Sequence, residues 1–550
     1  MTTGAQLLLD LLDANGVTHV FGNPGTTELP LVDAFAAETR LRYVLGLNEV
    51  VVLGMADGFA QATGRLGVVN LHAAPGLGNA MGMLYNAAKA GAPLLVTAGQ
   101  QDTTIALTEP LLWADLATLA RPLCKWSTEV TRIEDLPRTL HRAAKIALTA
   151  PTGPVFVSIP GDVLTADASG IDAMAPTRIG ARVRGDADSI SHAADLIAAA
   201  AAPLIFAGDA VPRSGANAAL AALAEAIGAP VYLEGMANTA AFPSDHPLFA
   251  GSVARMTPAV RTLTDAHDLV ISIGADLLTQ SQAADVEALG PGKPLVHLDD
   301  DPWQIGKNFP AAAAIVGDMA ATLPELTAAV LARTAPATAR TAAVAAVLAE
   351  RRAALVARAV ADAALLPLRP LAVLHTIDQC LPPHAIVVEE TLSTGMNTVR
   401  HLLRAVEPDS WFGMRGGGIG VALPQAIGIQ LAHPGRPVVA LTGDGSAMYA
   451  VQALWTAAHY RLPIVVVVVN NRSYRILKQR TRALGGPSAA ADAYVGMDLT
   501  DPVIDFVALA AAQGVAAERV ATLPDLRAAL ARGFAGQGPC LIDVAMDDAV

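Results

Sequence analysis

Residues suited to binding a phosphorylated ligand together with a metal ion follow two apolar stretches in the last quarter of the sequence. Gly443-Asp444-Gly445-Ser446 begins at the end of PVVALTG, and Asn471 ends PIVVVVVNN. Glycines let backbone N–H groups approach phosphate oxygens, and a helix start adds favourable partial charge. Asp444 and Asn471 are 27 positions apart, so one crossover helix can bring both to a hard cation such as Mg²⁺. A lone Gly-Asp-Gly is often only a turn. The site is predicted by the GDGS turn together with the helical stretch, the apolar stretch and Asn471 that follow it.

Such turns need parallel strands to position them, because ligands bind at the carboxyl ends of parallel strands. Apolar stretches alternate with Ala/Leu-rich helical stretches throughout, which indicates α/β domains with parallel sheets. A chain of 550 residues also exceeds one hydrophobic core. Strands are predicted at 18–22, 66–72, 93–99 and 153–160, at 203–208, 268–274 and 294–299, and at 385–390, 437–443, 463–471 and 540–546.

Composition excludes several classes of function. Cys124, Cys380 and Cys540 lie far apart, which predicts neither a disulfide framework nor a zinc site. A net charge of −13 without a Lys/Arg cluster argues against nucleic acid. No apolar run approaches the roughly 20 residues of a membrane span, and the acidic start lacks a signal-peptide pattern. We therefore expect a cytoplasmic enzyme whose partners are small molecules and copies of itself.

The arrangement of GDGS, helix, buried strand and NN resembles the diphosphate and metal motif of thiamine-diphosphate enzymes. The resemblance implies thiamine diphosphate and Mg²⁺ as cofactors, with Asp444, Asn471 and the backbone oxygen of Ser473 as metal ligands. It also implies an early buried glutamate that contacts the aminopyrimidine ring, and VLGLNEVVVLGMADG supplies Glu49. Burial disfavours the ionised carboxylate, so such a carboxyl can share a proton with the ring. The alternative is a helix-terminal or surface glutamate.

Several stretches resemble benzoylformate decarboxylases, in order and with similar spacing: FGNPGTTELP, NLHAAPGLGNAMG, PLLVTAGQQD, RPLCKWS and GGGIGVALPQAIG. The resemblance is weakest in the middle of the chain. It implies three doubly wound parallel-sheet domains: pyrimidine-binding (1–185), central (186–335) and diphosphate-binding (366–550), with a connector at 336–365. It further implies a homotetramer of two dimers, in which Glu49 of one subunit faces Asp444 of its partner.

The resemblance assigns further roles. His72, after the stretch LGVVNLH, assists proton transfer, although a histidine at a strand end is often structural. Thr26, in NPGTTE, takes the position of a serine that contacts the substrate carboxylate; read alone, it is a turn threonine that caps a helix. Ile419, after Gly418, lies under the cofactor and bends it. Thr391 and Ser393 bind diphosphate oxygens, or serve as ordinary caps.

Two departures from these decarboxylases concern the substrate pocket. Ser281 stands where the middle domain of the family has a second catalytic histidine, and serine cannot relay protons as imidazole does. Ile476 and Arg480, in RILKQR, occupy places that shape the aryl pocket. An arginine there can pair with a second carboxylate or a phosphate on the substrate, or it can point to solvent.

The sequence therefore predicts a thiamine-diphosphate-dependent carboxy-lyase that converts a benzoylformate-like 2-oxo acid to an aldehyde and CO₂. The alternative is a carboligase or lyase of the acetolactate-synthase or 2-hydroxyacyl type, which loss of the second histidine favours. A third interpretation, a non-catalytic paralogue that only binds the cofactor, is opposed by Glu49 and His72. The substrate itself is not specified by the sequence.

Overall fold

Three six-stranded sheets, in which all paired strands run parallel, organise the chain. The computed structural model describes residues 2–180, 182–395 and 398–549. Helices flank each sheet, so the predicted α/β fold of three parallel-sheet domains is confirmed. Among the described residues, no helix is both long and apolar enough to cross a membrane.

The first sheet has the strand order β2-β1-β3-β4-β6-β5. Its elements are α1 (Gly4–Ala14), β1 (His19–Gly22), α2 (Leu29–Ala34), β2 (Arg42–Leu45), α3 (Glu49–Thr63), β3 (Gly67–Leu71), α4 (Ala73–Ala90), β4 (Leu94–Gln100), α5 (Leu116–Ala120), β5 (Trp126–Glu129), α6 (Leu136–Leu148), β6 (Val155–Pro160) and α7 (Gly161–Thr165). Helix α3 begins at Glu49 because the Asn48 side chain accepts a hydrogen bond from Val50 N at 2.8 Å, and it ends at Thr63 because the C-cap residue Gly64 has φ +64°.

The second sheet has the order β12-β11-β10-β7-β8-β9, the order of dinucleotide-binding folds. Its elements are α8 (Ala187–Ala199), β7 (Pro203–Ala207), α9 (Ala210–Ser214), α10 (Asn217–Ile227), β8 (Val231–Leu233), β9 (Phe249–Ser252), α11 (Thr257–Asp265), β10 (Leu269–Ile273), β11 (Leu295–Asp299), β12 (Ala313–Val316) and α12 (Met319–Leu331). The predicted connector contains a long helix, α13 (Thr338–Asp362). Arg340 on α13 donates to the Ile227 carbonyl at 2.8 Å, which attaches this helix to the second sheet's helices.

The third sheet has the order β14-β13-β15-β16-β18-β17. Its elements are α14 (Pro370–Cys380), β13 (Ile386–Glu390), α15 (Val399–Leu402), β14 (Trp411–Gly413), α16 (Ala422–Ala432), β15 (Val438–Gly443), α17 (Asp444–Ala447), α18 (Ala453–His459), β16 (Ile464–Asn470), α19 (Arg475–Leu484), α20 (Pro487–Ala491), α21 (Phe506–Ala512), β17 (Ala516–Val520), α22 (Leu523–Ala535) and β18 (Cys540–Ala545). Every residue of β16 is buried, as its β-branched run predicts.

The first and third sheets have the same topology when their strands are numbered within each sheet. They also share one hydrophobic core, in which α3 packs on α16. Gly58 and Gly428 permit this close approach: a Cβ atom at Gly58 would lie 2.4 Å from the Gln425 carbonyl oxygen, and one at Gly428 would lie 1.9 Å from that of Met55. The domain limits at 185, 335 and 365 stay a prediction, because the sheets themselves do not fix them.

Candidate active site

Equivalent positions of the first and third sheets carry the residues that the sequence singled out. In a sheet of order 2-1-3-4, the strand order reverses between strands 1 and 3, and ligands bind in the crevice at the carboxyl ends of those strands. In the first sheet, β1 leads to Thr26 and β3 leads to His72. In the third sheet, β13 leads to Thr391 and β15 to Asp444. Each sheet therefore offers half of a site at its reversal point.

A buried carboxylate holds the histidine of the first half-site. Glu28, which is 1% exposed, lies 2.9 Å from His72 Nδ1 through its Oε2 atom. The same carboxylate accepts hydrogen bonds from the backbone N–H groups of Gly25 and Gly99, both at 3.0 Å, and from Thr27 Oγ1 at 2.5 Å. Since a carboxylate oxygen only accepts, this arrangement fixes the proton on His72 Nδ1 and leaves Nε2 for exchange with a ligand.

Glu49 lies beside this histidine. A Cβ atom at Gly76 would lie 3.4 Å from Glu49 Oε1 and 3.5 Å from the Cβ atom of His72, so one glycine separates the two side chains. The Glu49 carboxyl accepts hydrogen bonds from Asn23 Nδ2 at 3.2 Å and from Asn79 Nδ2 at 3.0 Å. Glu49 is the first residue of α3 and is 7% exposed, so it is a helix-terminal glutamate but not a surface one. Its two amide partners show that its surroundings are not only apolar.

Thr26 lies in the turn after β1, beside the residues that hold His72. It is exposed and begins a short 3-10 helix, Thr26–Glu28, whose N-cap residue is Gly25. The N-cap of this 3-10 helix is therefore Gly25, and not the threonine that the sequence alone also allowed. A side chain at Gly25 would collide with the His72 ring, since its Cβ atom would lie 2.1 Å from Nδ1. The neighbouring Thr27, rather than Thr26, contacts His72, with 3.2 Å between Oγ1 and Nδ1.

Asp444 is the buried carboxyl of the second half-site. Its Oδ1 atom accepts a hydrogen bond from Gly445 N at 2.9 Å, while Oδ2 is buried without a hydrogen-bond partner in the part of the chain that the structure describes. Burial raises the pKa of Asp444 to about 6, and the nearby N–H groups of Gly445, Arg472 and Ser473 partly offset that rise. An unpaired buried carboxylate oxygen is costly unless a cation satisfies it.

The turn after β16 lies next to Asp444. Asn471 is buried, and its Oδ1 atom accepts hydrogen bonds from the backbone N–H and the hydroxyl of Ser473 at 3.1 and 3.0 Å. Gly445 packs against the following residue of this turn: a Cβ atom there would lie 2.4 Å from the Tyr474 ring. No group of three or more His, Cys, Asp or Glu side chains suited to a metal occurs among the described residues. A cation here would have oxygen ligands of mixed type, which suits Mg²⁺.

Two hydroxyls predicted to bind diphosphate follow β13. Thr391 is buried, and its N–H and hydroxyl both donate to Glu389 Oε1, at 2.7 and 2.5 Å. Ser393 is half-buried, and its hydroxyl accepts a hydrogen bond from Arg475 Nε at 3.3 Å. Neither residue is the N-cap of a helix. Ser446, in the short helix α17 that follows β15, is also buried and lies at the same edge of the third sheet.

Glu390 holds the glycine-rich loop that contains Ile419. Its buried carboxyl accepts hydrogen bonds from Gly420 N at 2.5 Å and Ala422 N at 2.8 Å. Burial raises the pKa of Glu390 to about 7. Gly420 has φ +95°, a conformation that favours glycine, and a Cβ atom there would lie 2.6 Å from that of Tyr449. The half-buried Ile419 is thus held on a fixed backbone at the edge of the third sheet.

The two half-sites of one chain lie apart. His72 precedes the first residue of α4, while Asn86 near the other end of α4 donates from Nδ2 to the Gly418 carbonyl at 2.9 Å. Asn86 Oδ1 also accepts a hydrogen bond from Gly418 N at 3.2 Å. At 1.5 Å per residue, the helix places about 20 Å between His72 and Gly418.

The three residues at which the chain departs from benzoylformate decarboxylases line one pocket. Arg480 Nη2 donates to Ser281 Oγ at 3.2 Å, and Ile476 lies one helical turn before Arg480 on α19. Arg255, which the sequence analysis did not single out, lines the same pocket. Arg480 is half-buried, so it does not simply extend into solvent.

Three residues of the candidate site were not predicted from the sequence: Glu28, Glu390 and Arg255. The first two had a usable signal, because a glutamate directly after a predicted turn or at the end of a buried strand needs partners for its charge. Arg255 had no such signal, since it precedes a helix in the middle domain.

Comparison with known proteins agrees with this geometry. Residues 2–115 match the domain described as thiamine pyrophosphate enzyme, N-terminal TPP binding domain; residues 190–326 match the central domain, and 393–544 the C-terminal TPP binding domain. The chain is 36% identical to benzoylformate decarboxylase of Pseudomonas aeruginosa over 546 residues, which cover 99% of both chains. The chain belongs to the thiamine pyrophosphate enzyme family. The resemblance inferred from the sequence is thereby confirmed.

Other relatives of this thiamine pyrophosphate enzyme include an acetolactate synthase of Mycobacterium bovis, 31% identical over 524 residues that cover 93% of this chain and 82% of that one. Among solved structures, 4-hydroxybenzoylformate decarboxylase of Rhodococcus jostii RHA1 superposes with a TM-score of 0.88 at 33% identity, and covers 100% of both chains. Benzoylformate decarboxylase of Polynucleobacter necessarius has a TM-score of 0.89 at 31% identity, and covers 100% of this chain and 99% of that one.

Proposed function

We propose that this enzyme decarboxylates a 2-oxo acid to an aldehyde and CO₂, using thiamine diphosphate and Mg²⁺. The observation that carries the proposal is the end-to-end similarity to a benzoylformate decarboxylase, 36% over 99% of both chains. When bound, thiamine diphosphate supplies an electron sink for the carbon that loses CO₂. The protein must then bind the cofactor, orient the substrate and move protons.

The second half-site supplies the groups that fit the diphosphate and its cation. The unpaired, buried Oδ2 atom of Asp444 supports a cation at this point, with Asn471 and the backbone oxygen of Ser473 as its further ligands. The residues that would hold the diphosphate are those of the turns at this edge: Gly443, Gly445, Ser446, Thr391 and Ser393. Gly418 and Ile419, in the loop that Asn86 and Glu390 hold, would contact the rest of the cofactor.

The first half-site supplies the proton-transfer groups. Glu49 would be the carboxyl that shares a proton with the aminopyrimidine ring of a bound cofactor, and the two asparagine amides bonded to its carboxyl orient it. His72 exchanges a proton through Nε2, because Glu28 holds its Nδ1 atom. Thr26, which is exposed, would contact the substrate carboxylate through its hydroxyl.

We further propose that the active sites form between subunits of a cytoplasmic homotetramer. The separation of about 20 Å along α4 between His72 and Gly418 supports this arrangement. One small cofactor cannot use both half-sites of the same chain across that helix, whereas a two-fold related copy can supply the missing half. Light scattering on the purified protein tests the subunit number, and a monomer that remains active would refute the shared site.

A second candidate function is carboligation. Ser281 in place of a histidine removes one proton donor, and acetolactate synthases are among the relatives of the chain. The deciding experiment incubates the protein with thiamine diphosphate, Mg²⁺ and a panel of 2-oxo acids, with and without an acceptor aldehyde. Prompt CO₂ with free aldehyde supports decarboxylation, and acyloin as the main product supports carboligation. No CO₂ from any 2-oxo acid would refute both.

A further inference from the structure

Two arginines from different domains meet in the pocket beside the second half-site. Arg255 precedes α11 in the central domain, and Arg480 lies on α19 of the third domain. Ser281 connects them, because its hydroxyl donates to the Arg255 carbonyl at 3.1 Å and accepts from Arg480 Nη2 at 3.2 Å. Ile476 and Gln479 complete one wall of the pocket.

Neither guanidinium forms an ion pair with a carboxylate of residues 2–180, 182–395 or 398–549. The side-chain partner of Arg255 is the sulfur of Met236, 2.9 Å from Nη1, which is a weak acceptor. Burial lowers the pKa of Arg255, and the charge of Arg480 lowers it further, while Glu389 acts in the opposite direction. Two like charges thus face each other with incomplete compensation.

Two acidic groups lie near the arginines, and the charge of Glu389 offsets part of the charge of Arg255. The Oε1 atom of Glu389 accepts both hydrogen bonds from Thr391. Asp498, across α19, pairs with Lys478. Both arginines line the pocket, and neither has an ion pair among the described residues, so an anion that binds there would displace no ion pair of theirs.

The pocket adjoins the proposed cofactor site. Arg255 also lines the neighbouring cavity at the end of β13, together with Glu389 and Leu392, next to Thr391. Helix α19, which carries Arg480, begins two residues after Ser473. The arginine pair therefore lies on the same edge of the third sheet as the residues proposed to hold the cofactor.

We propose that Arg255 and Arg480 bind a second carboxylate on the substrate, so that the enzyme acts on 2-oxo diacids. This inference rests on the proposed function and names the substrate class of that site. Arginine is suited to the task because its planar guanidinium binds carboxylates through two hydrogen bonds. A neutral aryl group would add no negative charge to offset the two arginines in this partly buried pocket.

The test compares diacids with neutral substrates of the same shape. Holoenzyme with thiamine diphosphate and Mg²⁺ is assayed with 2-oxoadipate and 4-carboxybenzoylformate, and with the compounds in which an amide replaces the second carboxylate. We expect kcat/KM for at least one diacid to exceed that of its amide by about tenfold or more. Arg255→Gln and Arg480→Gln should each lower the diacid value by about 10- to 100-fold and bring the diacid-to-amide ratio towards one.

Matched variants separate this effect from loss of folding. Arg480→Lys keeps the charge and should retain part of the diacid preference. Arg482→Gln, an exposed position on the same helix, removes the same charge and should leave the ratio unchanged. Equal kcat/KM for diacid and amide in the unaltered enzyme, or an unchanged ratio in both arginine variants, would overturn the proposal.

Binding measured by calorimetry distinguishes a failure of the anion pocket from a failure of the proposed decarboxylase function. If no 2-oxo acid releases CO₂ but 2-oxoadipate binds more tightly than its amide, and both Arg→Gln variants lose that difference, the proposed function fails and the anion pocket stands. If CO₂ is released from neutral substrates alone and diacids do not bind, the proposed function stands and the anion pocket is wrong.

Discussion

Asp57 provides a quantitative test of the contact between the first and third domains. It lies on α3, two turns after Glu49, and its carboxyl accepts hydrogen bonds from Gln425 Nε2 at 2.7 Å and Gln61 Nε2 at 2.8 Å. Burial raises the pKa of Asp57 from 3.8 to about 6, although the two amides lower it. The change we consider is Asp57→Asn, which keeps the shape and removes the titration.

The direction in which stability changes with pH follows from proton binding by Asp57. Between about pH 4 and pH 6 the native state keeps the Asp57 proton that the unfolded chain has lost, so the stability of the native protein falls as the pH rises through this range. Above pH 6 the ionised carboxylate costs the native state up to about 3 kcal/mol relative to a neutral side chain, at about 1.4 kcal/mol per pKa unit. Gln425 Oε1, which is buried and has no partner among the described residues, can accept from the new asparagine amide after rotation.

The assay is the thermal unfolding midpoint of the apoprotein from pH 4.5 to pH 8. For a chain of this size about 1 kcal/mol corresponds to roughly 1–2 °C. About 1 kcal/mol of this cost is already present at pH 4.5, so we expect the Asp57→Asn midpoint to gain about 2–4 °C on the unaltered protein between pH 4.5 and pH 8. Asp285→Asn, at an exposed position, serves as the control. A midpoint difference that is constant with pH, or one that shrinks as the pH rises, would refute the reasoning.

Three further predictions concern the half-sites. Glu28→Gln should lower kcat/KM by about 10- to 100-fold while the protein stays folded, because His72 loses its charged partner. Initial rates measure the loss of activity, and circular dichroism checks the fold. An unchanged rate would contradict the prediction. Glu49→Gln should lower the rate by about 10²–10⁴-fold yet still bind thiamine diphosphate in a fluorescence titration, so loss of cofactor binding would count against its proposed role. Asp444→Asn should weaken Mg²⁺-dependent cofactor binding by at least about tenfold in the same titration, since an amide replaces a charged oxygen; full retention would exclude it as a metal ligand.

The strands that the sequence predicted are those in the interior of the sheets. In the first and third sheets, all four inner strands were found, because burial on both faces produces continuous apolar runs. The edge strands were missed: β5 (Trp126–Glu129) is half-buried throughout, and β17 (Ala516–Val520) has two charged residues at its centre and only one buried residue. The short inner strand β8 (Val231–Leu233) was missed as well, since three residues give too little pattern.

The candidate site shows a similar division. Motif residues such as Asp444 and Asn471 were predicted because turns after strands have a recognisable local sequence. The partner of His72 was not, because Glu28 is 44 positions away and only the pairing of β1 with β3 brings them together. Arg255 and Arg480 are separated even further, across a domain boundary, and only the packing of two domains makes them neighbours.

The separation of the half-sites within one chain has a genetic consequence. If each active site takes Glu49 from one subunit and Asp444 from the other, a dimer of a Glu49 variant with an Asp444 variant contains one doubly altered site and one unaltered site. Two alleles that each abolish growth when growth requires the enzyme's product would then restore that growth when both are expressed in one cell. Two alleles altered in the same half would not, because every mixed site would keep one defect.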